Sequence, residues 1–108
     1  MDDQDFKRAA DHALNDLYKR LAVHADQHGF EVDFNAGVLA IEFEDPPTKF
    51  VVSPNSPVRQ IWVSARLKSF KLDWDGSRRE FVLPASGQSL PEVLASTVGE
   101  QLGEQITL

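Results

Sequence analysis

Apolar residues near the start of the chain recur every three or four positions. They are Phe6, Ala10, Ala13, Leu14, Leu17 and Leu21. This spacing places one apolar stripe along an α-helix, and Asp2 or Asp3 can cap its first turn. The polar run at 26–28 and Gly29 then break the pattern. We therefore predict an amphipathic helix from Gln4 to about His24.

Six short segments after this helix alternate apolar and polar positions, as half-buried strands do. They span residues 31–34, 38–44, 49–53, 60–65, 69–74 and 80–82. The intervening residues 35–37, 45–48 and 75–76 are rich in Asn, Asp, Gly and Pro, which indicates turns, and neither Pro46 nor Pro47 can donate a hydrogen bond within a central strand. Because short turns join antiparallel neighbours, we expect a mainly antiparallel sheet of five or six strands.

A second helix is predicted after the strands. Ser89-Leu90-Pro91-Glu92 has the form of a capping box, and Gly103 is a natural end. The apolar side of this helix is formed by Leu90, Val93, Leu94, Thr97, Val98 and Leu102. The order helix, strands, helix predicts an α+β fold, a two-layer α-β-α sandwich with both helices on one face of the sheet. A chain of 108 residues supports a single domain, residues 1–108.

The sheet face away from the helices carries a tryptophan. In the fourth strand Ile61, Val63 and Ala65 form the apolar side, so Trp62 and Gln60 lie on the opposite side. A large aromatic on a solvent-facing surface is suited to binding a partner. If the strand is shifted in phase by one residue, Trp62 is instead a core residue. The predicted open face consists of Ala40, Glu42, Val51, Ser53, Gln60, Trp62, Ser64, Lys71 and Asp73.

The composition excludes several classes of protein. The chain has no cysteine, and therefore no disulfide or thiolate metal site. No segment approaches the roughly 20 apolar residues of a membrane-spanning helix. The acidic first residues are not followed by the apolar segment of a secretory signal. We expect a cytoplasmic protein that does not interact with membranes.

Charge is unevenly distributed along the chain. Residues 1–45, 46–81 and 82–108 carry net charges of −7, +4 and −3. Faces of opposite sign suit docking on a basic protein surface or collecting cations, although ordinary solubilising charge is an alternative. The net charge of −6 argues against nucleic-acid binding. No phosphate-binding loop, nucleophile elbow or catalytic triad signature indicates an enzyme.

Four segments in order resemble the frataxin family, and specifically its small bacterial form. They are residues 37–43 (GVLAIEF), 55–64 (NSPVRQIWVS), 72–74 (LDW) and 86–94 (SGQSLPEVL). The Gln60-Ile61-Trp62 element is the most specific of them. The resemblance covers roughly residues 31–102.

This resemblance implies an iron-binding accessory protein of iron–sulfur cluster assembly rather than an enzyme. Its partners would be a cysteine desulfurase, whose rate it would modulate, and the scaffold protein on which clusters are built. The protein would be a monomer without iron. The open face would bind partners through Asn55, Gln60, Trp62 and Lys71. Iron, as Fe²⁺ or Fe³⁺, would be bound weakly by Asp3, Asp11, Glu31 and Asp33.

The acidic ridge of the family is thinner in this chain. The late first helix, where the family is densely acidic, reads Tyr18, Lys19, Ala22, Val23 and Ala25. An alternative interpretation of the strand carboxylates Glu31, Asp33, Glu42 and Glu44 is that they are solvated strand-edge charges. His24 and His28, four residues apart, are an alternative metal pair on one helix face, or are simply solvated. The alternative function is an iron-storage or ferroxidase-type protein, which requires a defined iron site.

Overall fold

The chain folds into two helices and a six-stranded sheet in the computed structural model, which describes residues 1–44 and 46–108. Each strand pairs antiparallel with its neighbour in sequence, so the strand order is β1-β2-β3-β4-β5-β6. The elements are α1 (Asp3–His28), β1 (Phe30–Asn35), β2 (Val38–Glu44), β3 (Pro47–Asn55), a 3₁₀ turn (Ser56–Val58), β4 (Gln60–Ala65), β5 (Lys68–Asp75), β6 (Glu80–Val82) and α2 (Leu90–Leu102).

Both helices cover the same face of the sheet, and the apolar core lies between the two layers. α1 contributes the predicted stripe from Phe6 to Leu21, and α2 contributes Val93, Leu94 and Val98. The strands contribute alternate residues such as Ile61. The predicted α+β architecture is confirmed. Neither helix has the combination of length and apolar character that a membrane span requires, over the residues described.

The first helix is longer than the sequence pattern predicted. Asp2 is its N-cap, where the carboxylate accepts a hydrogen bond from Asp5 N at 2.8 Å. The helix ends only at His28, and the left-handed Gly29 (φ 70°) follows. The polar residues at 26–28 do not break the helix, because Asp26 and Gln27 are exposed and polar side chains are tolerated there. The predicted end at about His24 is therefore wrong.

Strand β3 is also longer than predicted, with two residues added at each end. Pro47 and Thr48 belong to β3 rather than to a turn, while Asp45, the first residue of that predicted turn, lies outside the described residues. Pro54 is accommodated within the strand because β2 pairs with β3 only as far as Val52. Beyond that point β3 has a single paired neighbour, so a missing N–H is tolerated as it is in an edge strand.

The loop between β5 and β6 comprises four residues, 76–79, rather than the two-residue turn that was predicted. The Asp75 carboxylate organises it by accepting hydrogen bonds from the Ser77 hydroxyl at 2.7 Å, Ser77 N at 3.0 Å and Arg78 N at 3.2 Å. The hydroxyl contact is the main reason that the pKa of Asp75 lies below its ordinary value.

The capping box predicted at the start of α2 is present. Ser89 Oγ accepts from Glu92 N at 3.4 Å, and the Glu92 carboxylate accepts from Ser89 N at 2.9 Å. The second contact holds the pKa of Glu92 below its ordinary value. A carboxylate whose pKa is lowered by folding stabilises the protein above its unfolded pKa, and this contribution disappears as pH falls through the folded pKa.

Glu92→Gln should therefore have a pH-dependent effect on stability. Glutamine keeps an acceptor for Ser89 N but does not titrate. We expect the wild type to be more stable at pH 7, with the difference vanishing well below the ordinary glutamate pKa of about 4.3. Urea unfolding of both proteins at pH 7 and pH 3 measures the difference in stability. The other carboxylates contribute equally to both proteins, so their effects cancel in this difference. A difference that is independent of pH would contradict the assignment.

Residues 104–108 fold back along α1. His28 Nδ1 lies 2.5 Å from a Glu104 carboxylate oxygen, and His24 Nε2 donates to the Thr107 carbonyl at 2.9 Å. Gly99 permits this path, because a Cβ at this position would lie 2.7 Å from the Glu104 carbonyl oxygen. Ile106 and Leu108 then pack against the core. No regular pattern in residues 104–108 predicts this path.

Candidate functional site

The candidate site lies on the sheet face that neither helix covers. Two cross-strand rows on this face contain the residues predicted to bind a partner. In one row Trp62 lies between Ser53 and Lys71. In the adjacent row the order is Asn55, Gln60, Asp73. The structure therefore brings Asn55, Gln60, Trp62 and Lys71 together, as predicted.

Trp62 is 37% exposed, whereas Ile61 and Val63 on either side of it are buried. The predicted strand phase is confirmed, and the alternative of a core tryptophan is wrong. The indole Nε1 donates to Gln60 Oε1 at 2.9 Å, and Gln60 Nε2 in turn donates to Asp73 Oδ1 at 3.0 Å. The Lys71 ammonium lies 4.7 Å from the centre of the indole ring, which is within cation–π distance.

These contacts hold the indole in place before any partner binds. Its polar edge is bonded to Gln60 and one face is occupied by Lys71. Small side chains, among them Ser64 and Ser69, line a shallow depression of about 290 Å³ beside the ring. A fixed aromatic beside a depression is typical of an interface hot spot, because little side-chain entropy is lost on binding.

Asp3 contacts the residue just before β4 rather than the other predicted iron ligands. Arg59, in the left-handed conformation after the 3₁₀ turn (φ 51°), donates from Nη2 to Asp3 Oδ1 at 3.0 Å. Asp11 is eight residues further along α1, about 12 Å at the usual helical rise. Glu31 and Asp33 are exposed on β1, which follows the opposite end of α1. The four carboxylates are therefore spread along the molecule.

A smaller acidic group lies at the β1 edge of the sheet. Glu31 is directly opposite Glu42 on β2, and Asp33 is opposite Ala40. Lys49 on β3 is paired with Glu42 and its ammonium lies 3.9 Å from that carboxylate. An open depression of about 630 Å³ between the end of α1 and these strands contains all three carboxylates. We call Glu31, Asp33 and Glu42 the acidic edge.

The histidine pair is on one helix face, as its spacing predicted. The rings of His24 and His28 have their centres 5.7 Å apart. Both rings contact the returning segment, through Thr107 and Glu104. Within residues 1–44 and 46–108, no three His, Asp or Glu side chains are arranged to hold one metal ion.

Sequence reasoning missed two contributors to these surfaces. Glu42 was predicted on the open face but was not grouped with Glu31, and Asp73 was not assigned to the partner site. The signal for Glu42 was available in the Ala36-Gly37 turn, because a two-residue hairpin turn fixes the register and so places Glu42 opposite Glu31. Asp73 follows from the register of β4 and β5, which places it beside Gln60.

Curated relatives and solved structures resemble this chain over most of its length. A protein of Azotobacter vinelandii named "Iron-sulfur cluster assembly protein CyaY" is 34% identical over 95 residues, or 86% of each chain. A protein of the same name from Pseudomonas putida strain W619 is 33% identical over 104 residues, or 94% of this chain and 87% of that protein.

The fold matches two solved frataxin structures. A frataxin from Psychromonas ingrahamii superposes with a TM-score of 0.76 at 21% identity, covering 99% of this chain and 97% of that one. Yeast frataxin gives a TM-score of 0.71 at 22% identity, covering 93% and 82%. The family described as "Frataxin-like domain" matches residues 1–104. The resemblance noted in the sequence is confirmed, and the chain belongs to the frataxin-like domain family.

Proposed function

We propose that this protein is an accessory protein of iron–sulfur cluster assembly. In this proposal it docks on a complex of cysteine desulfurase and scaffold protein and changes the rate of the desulfurase. The exposed, prearranged Trp62 on the open face is the observation that carries the proposal. The names of the curated relatives support a role in iron–sulfur cluster assembly. The family resemblance supports a cysteine desulfurase and a scaffold protein as the two partners.

The charge distribution supports a protein partner that meets two surfaces of this chain, the Trp62 face and the acidic edge. The partner-binding face presents Lys71 beside Trp62, while Arg59, just before β4, is paired with Asp3 of α1. The acidic edge is exposed at the β1 end of the sheet. A partner complex with a basic surface facing the acidic edge would be oriented by long-range attraction, and contact with Trp62 would then provide the affinity.

The proposal is tested by measuring sulfide release from cysteine by a bacterial desulfurase with its scaffold protein, at increasing concentrations of this protein. We expect a saturable change in rate. In parallel, the amide signals of the isotope-labelled protein should broaden in β3, β4 and β5 when the complex is added. Albumin at the same concentration is the control. A rate that stays constant while the complex leaves β3–β5 unperturbed would refute the proposal.

We further propose that iron modulates this activity through weak binding at the acidic edge. Carboxylate oxygens are suitable ligands for iron ions, and Glu31 and Glu42 face each other across one strand pair. Asp33 is the next residue on the same side of β1. Because these donors are few and exposed, water would complete the coordination and affinity would be low. Asp3 and Asp11 contribute in this proposal only through the general negative charge of α1.

Glu42→Gln should weaken iron binding at this edge while Asp16→Asn should not. Asp16 is a matched control, since its carboxylate on α1 already pairs with Arg20 at 2.8 Å. In an anaerobic Fe²⁺ titration followed by amide signals, we expect broadening around Glu31 and Glu42 that requires several-fold more iron in Glu42→Gln. Broadening confined to His24 and His28 would instead assign the metal to the histidine pair.

An iron-storage or ferroxidase role is not proposed. Such a role needs a site with several ligands on one ion, and the described part of the chain offers no specific observation in its favour. The Fe²⁺ titration also tests for ferroxidase activity, because oxidation of the added Fe²⁺ on admission of air can be followed in the same samples.

A further inference from the structure

The Trp62 indole is the last member of a chain of two side-chain hydrogen bonds that begins on the neighbouring strand. Asp73 Oδ1 on β5 accepts from Gln60 Nε2 on β4 at 3.0 Å, and Gln60 Oε1 accepts from Trp62 Nε1 at 2.9 Å. Gln60 and Asp73 are cross-strand partners, and both are half-buried. The chain thus links a half-buried carboxylate to the exposed indole.

The direction of this chain is fixed at both of its ends. An ionised carboxylate can only accept hydrogen bonds, and an indole N–H can only donate one. The Gln60 amide has a group of each kind, so only one of its two orientations satisfies both neighbours. In the reversed orientation the amide oxygen would face the Asp73 carboxylate and the amide N–H would face the indole N–H. Asp73 therefore holds the amide oxygen towards Trp62.

No cation competes with Gln60 for the Asp73 carboxylate. Lys71 lies on the same side of β5, but its ammonium is above the Trp62 ring, 4.7 Å from the ring centre. In the part of the chain that the structure describes, Asp73 belongs to no ion pair. Without this carboxylate the Gln60 amide would be free to rotate, and the indole would lose an acceptor held in a fixed position.

We propose that Asp73 is a positioning residue of the partner-binding face, which fixes the orientation of Trp62 through the Gln60 amide. Because the indole N–H is already bonded, a partner meets the apolar remainder of the ring and needs no acceptor for the N–H. As far as partner affinity is concerned, this inference rests on the function proposed above. The positioning itself is a property of the free protein.

The first test uses the free protein labelled with ¹⁵N, in which the indole signal of Trp62 is the one that Trp62→Phe removes. Asp73→Ala should shift this signal upfield and accelerate its exchange with solvent severalfold, because the hydrogen bond is no longer held in place. Asp73→Asn removes the same charge but keeps an acceptor oxygen, so it should preserve the signal. An unchanged signal in Asp73→Ala, or an equal change in both variants, would overturn the proposal.

Glu44→Ala is the matched control for the loss of a carboxylate from the sheet. Glu44 is exposed on β2 and is paired with Pro47, whereas Trp62 is paired with Ser53, further along the same strand β3. The two positions are about 20 Å apart at the usual rise of a strand. The substitution should therefore leave the indole signal unchanged, and a change as large as that in Asp73→Ala would contradict the assignment.

The second test is a double-mutant cycle on affinity for the desulfurase and scaffold complex. Asp73→Ala should weaken binding about five- to tenfold, and Asp73→Asn by less than about twofold. Trp62→Phe has no indole N–H, so adding Asp73→Ala to it should cost no more than about a further twofold. A further loss as large as that in the wild-type background would mean that Asp73 contacts the partner itself, which would overturn the positioning role.

The two tests separate this inference from the proposed function. If the wild type does not bind the complex, but the indole signal responds to Asp73→Ala and not to Asp73→Asn, the docking function is refuted and the positioning of Trp62 is supported. If the wild type binds the complex while the indole signal does not respond to Asp73→Ala, the positioning role is refuted and the docking function stands.

Discussion

Trp62→Ala is expected to weaken binding of the desulfurase and scaffold complex about 30-fold or more, the loss typical of an interface hot spot. The substitution removes the largest exposed side chain of the open face. It also removes the partner of Gln60 and the ring beneath Lys71. Since Trp62 is on the uncovered side of the sheet, the fold should be largely unaffected. Affinity is measured by titrating the complex with fluorescently labelled protein.

Val23→Ala is the matched control for this loss. Val23 is an exposed apolar residue of α1, away from the Trp62 rows, and its truncation should leave affinity within about twofold. A second comparison, Trp62→Phe, keeps an aromatic ring but no indole N–H, and should give an intermediate affinity. If Trp62→Ala and Val23→Ala bind equally well, the open face is not the docking surface, even if the protein still modulates the desulfurase.

Phe81→Ala should lower the free energy of unfolding by about 3–5 kcal/mol. Phe81 is 1% exposed on the short strand β6. Its ring packs edge-on against Phe6 of α1, with centres 5.9 Å apart, and against Trp74 of β5 at 5.1 Å. One side chain thus joins the last strand to the first helix. Because small domains have only about 5–15 kcal/mol of stability, a large share should be lost.

Urea unfolding followed by tryptophan fluorescence measures this change, since Trp74 reports directly on the site. Val58→Ala is the control. It truncates an apolar residue that is 53% exposed, so its effect should stay within about 0.5 kcal/mol. A loss below about 1 kcal/mol in Phe81→Ala would show that β6 is not an integral part of the core.

The local elements of this fold could be predicted because each leaves a regular pattern in the sequence. Alternation placed Trp62 on the open face correctly, and the capping box located the start of α2. The end of α1 was misplaced because apolar periodicity reports only where a helix contacts the core. In the last turn the polar side chains are tolerated, and Gly29 is the signal that ends the helix.

The features that could not be predicted depend on contacts between distant parts of the chain. A cavity lined by Phe50, Ala65 and Thr97, for example, exists only because the turn between β4 and β5 approaches α2. Likewise, His24 and His28 contact Thr107 and Glu104, about 80 residues later in the sequence. A spacing of four residues indicated that the two histidines share a helix face, but it carried no information about the segment that covers them.

The simple strand order has a consequence for how the protein is made. Every strand pairs with the one synthesised just before it, so sheet formation closes only short loops and each step loses little chain entropy. The apolar side of the sheet, however, needs both helices, and α2 follows all six strands. A nascent chain can therefore assemble its sheet progressively, yet part of its core remains uncovered until α2 leaves the ribosome. That interval is when the chain is most prone to aggregation and most in need of a chaperone.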